Sequence, residues 1–340
     1  MSVIRIINGE VAEKVLNLND AIGAVERAYA AHSAGRGILW PMVAVVFKEQ
    51  DGDMDIKSGC LSDEGVYGLK LVSWFSGNAE KNLPQLTGTS LLFDANTGLP
   101  LALFNANAMT GLRTGAAGAI GAKYLARPES RRMLMVGAGS QSPFQIAAML
   151  LAMKNIETVM LANPFDPSLA RNRAAEITAK VKSLLSAAGS DRVFELAPAA
   201  DLAAAVGTSD VITTATPSYK PMIMDGWVKP GTHFSCIGAD MSGKEEIDAR
   251  IFARARVFAD DIEQAVAVGE TEIPVRDGII TKEDITGTIG DVIAGKAKGR
   301  LSAQDITVFD STGLALQDLA IARRALGAAE KLELGTVCTL

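Results

Sequence analysis

The sequence predicts an α/β protein: a doubly wound parallel sheet joined to a discontinuous, strand-rich α+β domain. Two observations carry this. From residue 131 onward, short apolar runs alternate with helical patterns, which is how βαβ units read. Before that point, residues 38–105 read as a succession of strands separated by turns.

The elements follow in order. Residues 11–33 form an amphipathic helix, with Asn19 or Asp20 capping its main part. Strands are expected at 38–47, 54–60, 67–74 and 87–93. Asp94-Ala95-Asn96-Thr97-Gly98 is a turn into a strand at 99–105, and 109–125 is an Ala-rich helix. Further strands are expected at 133–136, 158–162, 192–196, 211–215, 232–237, 256–259 and 306–309. Helices are expected at 144–151, 167–187, 202–206 and 312–329. The last helix is expected to return to the first domain. That domain then comprises 1–115 and 310–340, and the parallel-sheet domain 116–309.

Composition narrows the function classes. The 340 residues carry a net charge of −6 and 48% hydrophobic residues. With no basic run, nucleic acid and anionic membrane surfaces are disfavoured as partners. No apolar stretch approaches the roughly 20 residues that span a bilayer, and the N-terminus has no secretory pattern. Cys60, Cys236 and Cys338 are far apart and in no metal-ligand spacing, so a cytoplasmic protein with reduced thiols is expected. His32 and His233 are the only histidines, which excludes a His-rich metal site; no metal is expected.

The most informative segment runs from Met133 to Ser142. The apolar run Met133-Leu134-Met135-Val136 is followed by Gly137-Ala138-Gly139-Ser140-Gln141-Ser142 and then an apolar-periodic helix. This is the order of a dinucleotide-binding turn. Gly137 permits the sharp bend, and Gly139 lets the backbone approach a pyrophosphate. The helix N-terminus supplies N–H groups and a positive dipole end. Ser142 replaces the third glycine. Where the second strand ends, an Asp or Glu would serve the ribose of NAD and a nearby Arg the phosphate of NADP. Asn163 stands there instead, with Asp166 close by. Arg171 and Arg173 read as solvated helix charges. The balance favours NAD and leaves NADP open.

Several segments together resemble the ornithine cyclodeaminase/μ-crystallin family, which includes archaeal-type alanine dehydrogenases and ketimine reductases. They are Gly68-Leu69-Lys70-Leu71-Val72-Ser73, Leu112-Arg113-Thr114-Gly115-Ala116-Ala117, Lys123-Tyr124-Leu125-Ala126-Arg127 and the glycine turn. Thr213 to Pro217, Gly231-Thr232-His233, Ile237-Gly238-Ala239-Asp240 with Gly243-Lys244, and Phe309-Asp310-Ser311-Thr312-Gly313-Leu314-Ala315 complete the set. The resemblance implies a homodimer whose N-terminal domain supplies the dimer interface and one wall of the active site. It also implies hydride transfer at a carbon that bears nitrogen and a carboxylate.

Reducing a 2-imino acid requires holding the carboxylate, keeping the iminium positive and managing the amine proton. Arg113 suits the first task, because its planar fork matches a carboxylate bidentately. Lys70 lies in an apolar strand, either as an edge charge facing water or as a buried functional amine. The resemblance places it at the family's catalytic lysine, and Asp240 at an aspartate acting on the substrate amine. It further implies cofactor contacts from Thr114, Gly137, Gly139, Ser140, Gln141, Asn163, Thr214, Ala215, Thr216, Ile237 and Gly238. Asp310, Ser311 and Gly313 would line the nicotinamide.

One departure bears on substrate. Many relatives carry a basic residue shortly after the proline of the first strand, and Trp40-Pro41-Met42-Val43-Ala44 lacks it. Lys57 is the candidate substitute, or it pairs with Asp55 or Asp53 as an ordinary strand charge. The expected activity is NAD(P)-dependent reduction of a small 2-imino acid, with alanine or aspartate (via iminosuccinate) as product. The alternatives are an ornithine-type cyclodeaminase that keeps its NAD, and a μ-crystallin-like cofactor-binding protein without relevant turnover.

Overall fold

The computed structural model describes residues 3–340. In chain order, β1 is Val3–Ile7, α1 Gly9–Val15, α2 Leu18–Ser33, β2 Gly37–Leu39, β3 Val43–Phe47, β4 Gly52–Leu61, β5 Val66–Phe75, β6 Leu86–Asp94, β7 Pro100–Asn105 and α3 Asn107–Leu125. Next come β8 (Arg132–Val136), α4 (Ser142–Ala152), β9 (Thr158–Ala162), α5 (Pro167–Ala187), β10 (Glu195–Pro198), α6 (Leu202–Thr208), β11 (Val211–Thr214), β12 (Tyr219–Ile223), β13 (His233–Cys236) and β14 (Glu245–Ile247). The chain ends with β15 (Ala255–Ala259), α7 (Ile262–Val268), α8 (Glu272–Arg276), β16 (Gly287–Thr288), α9 (Ile289–Ile293), β17 (Ile306–Asp310), α10 (Ala315–Lys331) and β18 (Thr336–Thr339). It divides into two compact units, Met1–Arg113 with Leu314–Leu340, and Thr114–Gly313.

The first unit is built on a mixed sheet of order β18-β1-β7-β6-β5-β4-β2, with β3 also paired to β4. The helix expected over 11–33 is two helices. Asn17 is extended and caps α2 through its side chain, accepting from the Asp20 N–H, so the cap lies two or three residues before the expected Asn19 or Asp20. The strand expected over 38–47 is also broken, at Trp40-Pro41-Met42, because proline offers no N–H to a ladder. Helices α2 and α10 pack together, and α10 lies across β4 and β5. A glycine notch lets it approach. Gly59 and Gly68 are register partners, and a Cβ on either would meet backbone oxygen at 2.4 and 2.3 Å and press on Leu316 or Leu319 of α10. Residues two positions away on these strands, Lys57 and Lys70, share that face by strand alternation.

The second unit is an all-parallel sheet of order β10-β9-β8-β11-β13-β17-β15-β16. Its centre is apolar, with Leu134, Val136, Ile212, Phe234, Val257 and Val308 buried. The strand order reverses between β8 and β11, and ligands bind outside the carboxyl ends of strands at such a switch point. The fold class expected from the sequence is the one observed. Strands β1, β12, β14, β16 and β18 were not read from the sequence. All but β1 and β12 have four residues or fewer, too short for a periodic pattern.

Candidate functional site

In the first unit, Lys70 and Asp318 form a buried pair, each side chain only 4% exposed. β5 is an interior strand between β4 and β6, so Lys70 is a buried amine and not an edge charge. Its Nζ donates to Asp318 Oδ1 at 3.1 Å and to Thr110 Oγ1 at 2.9 Å. Thr110 gives its own proton to Ala106 O, which leaves its oxygen to accept from the lysine. Arg113, 12% exposed, places Nε 3.3 Å from the same Asp318 oxygen. Its Nη1 donates to Gln317 Oε1, which also accepts the Leu314 N–H, and Gln317 donates to the Tyr29 hydroxyl.

Burial lowers the Lys70 pKa to about 8; Asp318 opposes the shift, while Arg113 and Lys57 add to it. For Asp318, burial alone would raise the carboxyl, but Lys70 and Arg113 outweigh it and hold it below the usual carboxylate range. Arg113 Nε and Asp318 Oδ2 are buried without a hydrogen-bond partner among the described residues. Asp318 Oδ2 is a costly buried orphan, whereas Arg113 Nε is paired with Asp318 Oδ1 by charge at 3.3 Å. Lys57 is the register partner of Lys70, close enough for its charge to act on the Lys70 ammonium. Asp55 precedes it on the same strand face.

In the second unit, the protein itself demands one of the two glycines in the turn. Gly137 has φ +110°, and a Cβ there would lie 2.5 Å from Ala215 O. A Cβ on Gly139 would meet nothing within 4 Å. The fold leaves Gly139 room for a side chain, so nothing among the described residues requires a glycine there. At the N-terminus of α4, Gln141 makes no side-chain capping bond, and its Oε1 and Thr114 Oγ1 are buried without a hydrogen-bond partner among the described residues. Ser142, in place of the third glycine, is fully buried and donates to Gly139 O at 2.8 Å. These residues fit a dinucleotide.

Asn163 uses its Oδ1 to close the turn after β9, accepting from Phe165 N and Asp166 N, while Asp166 caps α5. Arg173 is not the solvated charge expected. It donates from Nη1 to Ala138 O inside the glycine turn, at 2.5 Å, and pairs with Glu176.

Thr214, Thr216 and Gly238 converge on one buried carboxylate, Glu246. Ala215 follows β11, and Ile237 follows β13, at the carboxyl ends of those strands. Asp240 lies further along the same loop, 48% exposed, with Oδ1 2.5 Å from Nζ of the mostly buried Lys244. Asp310 is fully buried and accepts from Thr271 N and Oγ1 at 2.8 and 2.6 Å. Burial pushes its pKa up to about 7, against the Thr271 bonds and with help from Asp260. Asp260 holds the next turn, accepting from Ser311, Thr312 and the Gly313 N–H.

Four buried acids beside these loops and the cation cluster, Asp318, Asp260, Glu246 and Glu270, are not evident from the sequence. Asp318 had a signal, a Gln317-Asp318 pair inside the apolar run Leu314 to Ile321. Asp260 had a weaker one, its place at the end of β15. Glu246 and Glu270 had none, since their partners are brought in by the fold.

With this geometry in hand, comparison with known proteins decides the family. The sequence profile of the ornithine cyclodeaminase/mu-crystallin family matches residues 6–331. The chain belongs to this family. Among its relatives is an alanine dehydrogenase of Archaeoglobus fulgidus, 38% identical over 94% of this chain and 92% of its own length. Another is an iminosuccinate reductase of Paracoccus denitrificans, 34% identical over 95% of this chain and 99% of its own. An archaeal alanine dehydrogenase dimer solved with bound NAD superposes with a TM-score of 0.86 at 36% identity, covering 99% of each chain. These family members are enzymes of imine and amino groups.

Proposed function

We propose that this chain is an NAD-dependent reductase of small 2-imino acids, releasing L-amino acids. The observation that carries the reading is the buried Lys70–Asp318–Arg113 cluster of the first unit, taken together with the open space at Gly139 in the second. A buried lysine and arginine sharing one carboxylate, with orphaned polar atoms beside them, make a receptor for an α-carboxylate. In this reading Arg113 grips that carboxylate, Lys70 contacts the substrate and manages a proton, and Asp240 acts on the amine.

The turn at 137–142, with Thr114 and the loops after β11 and β13, would hold NADH, which supplies the hydride. Reduction adds that hydride to the imino carbon, and the C=N electron pair becomes the amine lone pair. NAD is preferred over NADP because Arg173 is committed to Ala138 O and Glu176. Lys57, opposite Lys70, supports a dicarboxylic substrate, which makes aspartate from iminosuccinate the preferred product over alanine.

The enzyme would act as a homodimer. Every residue of β3 is exposed, and Trp40, Met42, Trp74 and Leu86 are exposed with it in the same unit. Exposed apolar side chains gathered on one unit suit a contact surface, and one solved relative is described as a dimer. Sedimentation velocity tests this, and a monomer would contradict the homodimer. For the activity, a panel of 2-oxo acids with ammonia and either NADH or NADPH is the test. Turnover with none of them, or ammonia release from ornithine without net NADH change, would reject it.

A further inference from the structure

Glu246 lies on β14, outside the glycine turn and the cation cluster, and is completely buried. Its carboxylate accepts four hydrogen bonds from two separate loops. Thr214 donates its hydroxyl at 2.6 Å, Thr216 its N–H at 2.7 Å and its hydroxyl at 2.8 Å, and Gly238 its N–H at 2.9 Å. Thr214 to Thr216 close β11, and Gly238 follows β13, the neighbouring strand.

There is no slack around this acceptor. A Cβ on Gly238 would lie 2.4 Å from Thr216 O and 2.5 Å from Glu246 Oε1. A Cβ on Gly137 would lie 2.5 Å from Ala215 O and 3.1 Å from Thr216 Cγ2. The loops after β8, β11 and β13 are therefore one packed layer, with Glu246 as the acceptor shared by two of them. Glu246 is itself anchored, because Glu270 Oε1 accepts the Glu246 and Ile247 N–H groups, each at 2.7 Å.

We propose that Glu246 is a positioning residue for the dinucleotide, locking the loops after β11 and β13 in the form that receives its nicotinamide half. The inference rests on the dinucleotide reading given above. In a doubly wound sheet the two halves of a dinucleotide lie on the two sides of the switch point. β11 and β13 are on one side of it, and β9 and β10 on the other. A fault at Glu246 is therefore local to one half of the cofactor. A carboxylate is required because four donors converge on it, two of them backbone N–H groups that cannot turn away. A glutamine would present its own N–H groups to part of that set.

The test is Glu246→Gln, titrated without substrate against NADH and against ADP, which lacks the nicotinamide riboside. NADH affinity is expected to fall roughly tenfold or more, the scale of a buried donor left without its acceptor, with ADP affinity unchanged. Thr214→Val removes one donor at nearly constant volume. It is expected to give the same pattern with a smaller loss, and it serves if the glutamine variant does not fold. Equal losses for NADH and ADP, or unchanged NADH affinity, would overturn the proposal while leaving the dinucleotide reading intact. Wild-type protein that binds neither NADH nor NADPH would overturn both.

Discussion

Lys57 and Lys70 stand directly opposite one another in the β4–β5 pairing, on the sheet face crossed by α10. Opposed residues place their Cβ atoms about 4.5–5.5 Å apart, and like charges there repel. Asp318 of α10 offsets the repulsion at Lys70 through its 3.1 Å contact. Under the proposed function, the second carboxylate of a dicarboxylic substrate would lie near Lys57.

Lys57→Ala therefore separates substrates. Loss of a cation facing a second carboxylate should weaken kcat/KM for a dicarboxylic imino acid by roughly 2–5 kcal/mol. Pyruvate with ammonia should be unaffected or improved. Equal losses on both, or none, would assign Lys57 to Asp55 or Asp53 as a strand ion pair worth about 0–1 kcal/mol.

The pH dependence follows from the same cluster. Lys70 titrates at about 8 because burial disfavours its ammonium, while Asp318 favours it. Removing that carboxylate in Asp318→Asn takes away a pKa-raising contact, so the ionisation moves to lower pH. The profile of kcat/KM for amino-acid oxidation should show a limb near pH 8 in wild type and an acid-shifted limb in the variant. A limb that stays in place would detach Asp318 from Lys70.

The two glycines of the cofactor turn should fail differently. Gly139→Val is expected to abolish NADH binding with little change in melting temperature, since only open space surrounds its Cβ. Gly137→Ala is expected to lower the melting temperature itself, because φ is +110° and Ala215 O is 2.5 Å from the new carbon. Calorimetry with and without NADH reads both.

Gly68→Ala tests the packing that delivers Asp318 to Lys70. The added methyl meets Leu91 O at 2.3 Å and Leu319 at 3.0 Å, an overpacking that costs about 1–3 kcal/mol. Urea denaturation should show the loss, and wild-type stability would mean that α10 lies further from the sheet.

The sequence was most legible where local rules suffice. The glycine turn of 137–142 announced itself by strand, glycines and helix in order, and the long helices α5 and α10 by their period. Lys70 and Arg113 stood out as charges in apolar runs. What stayed hidden depends on distant partners. Asp318 meets Lys70 across 248 positions, and Glu246 meets Thr214 across 32. The break at Pro41 and the cap at Asn17 were local, but apolar periodicity ran through both and masked them.

In the proposed reaction, hydride passes from NADH to the carbon of a 2-imino acid. The most direct measurement uses NADH carrying two deuterons at the nicotinamide C4, with oxaloacetate and excess ammonia, and mass analysis of the product. The predicted result is aspartate with one deuteron at Cα for each NADH oxidised. Aspartate without deuterium, or no NADH oxidised with this or any other 2-oxo acid, would contradict it.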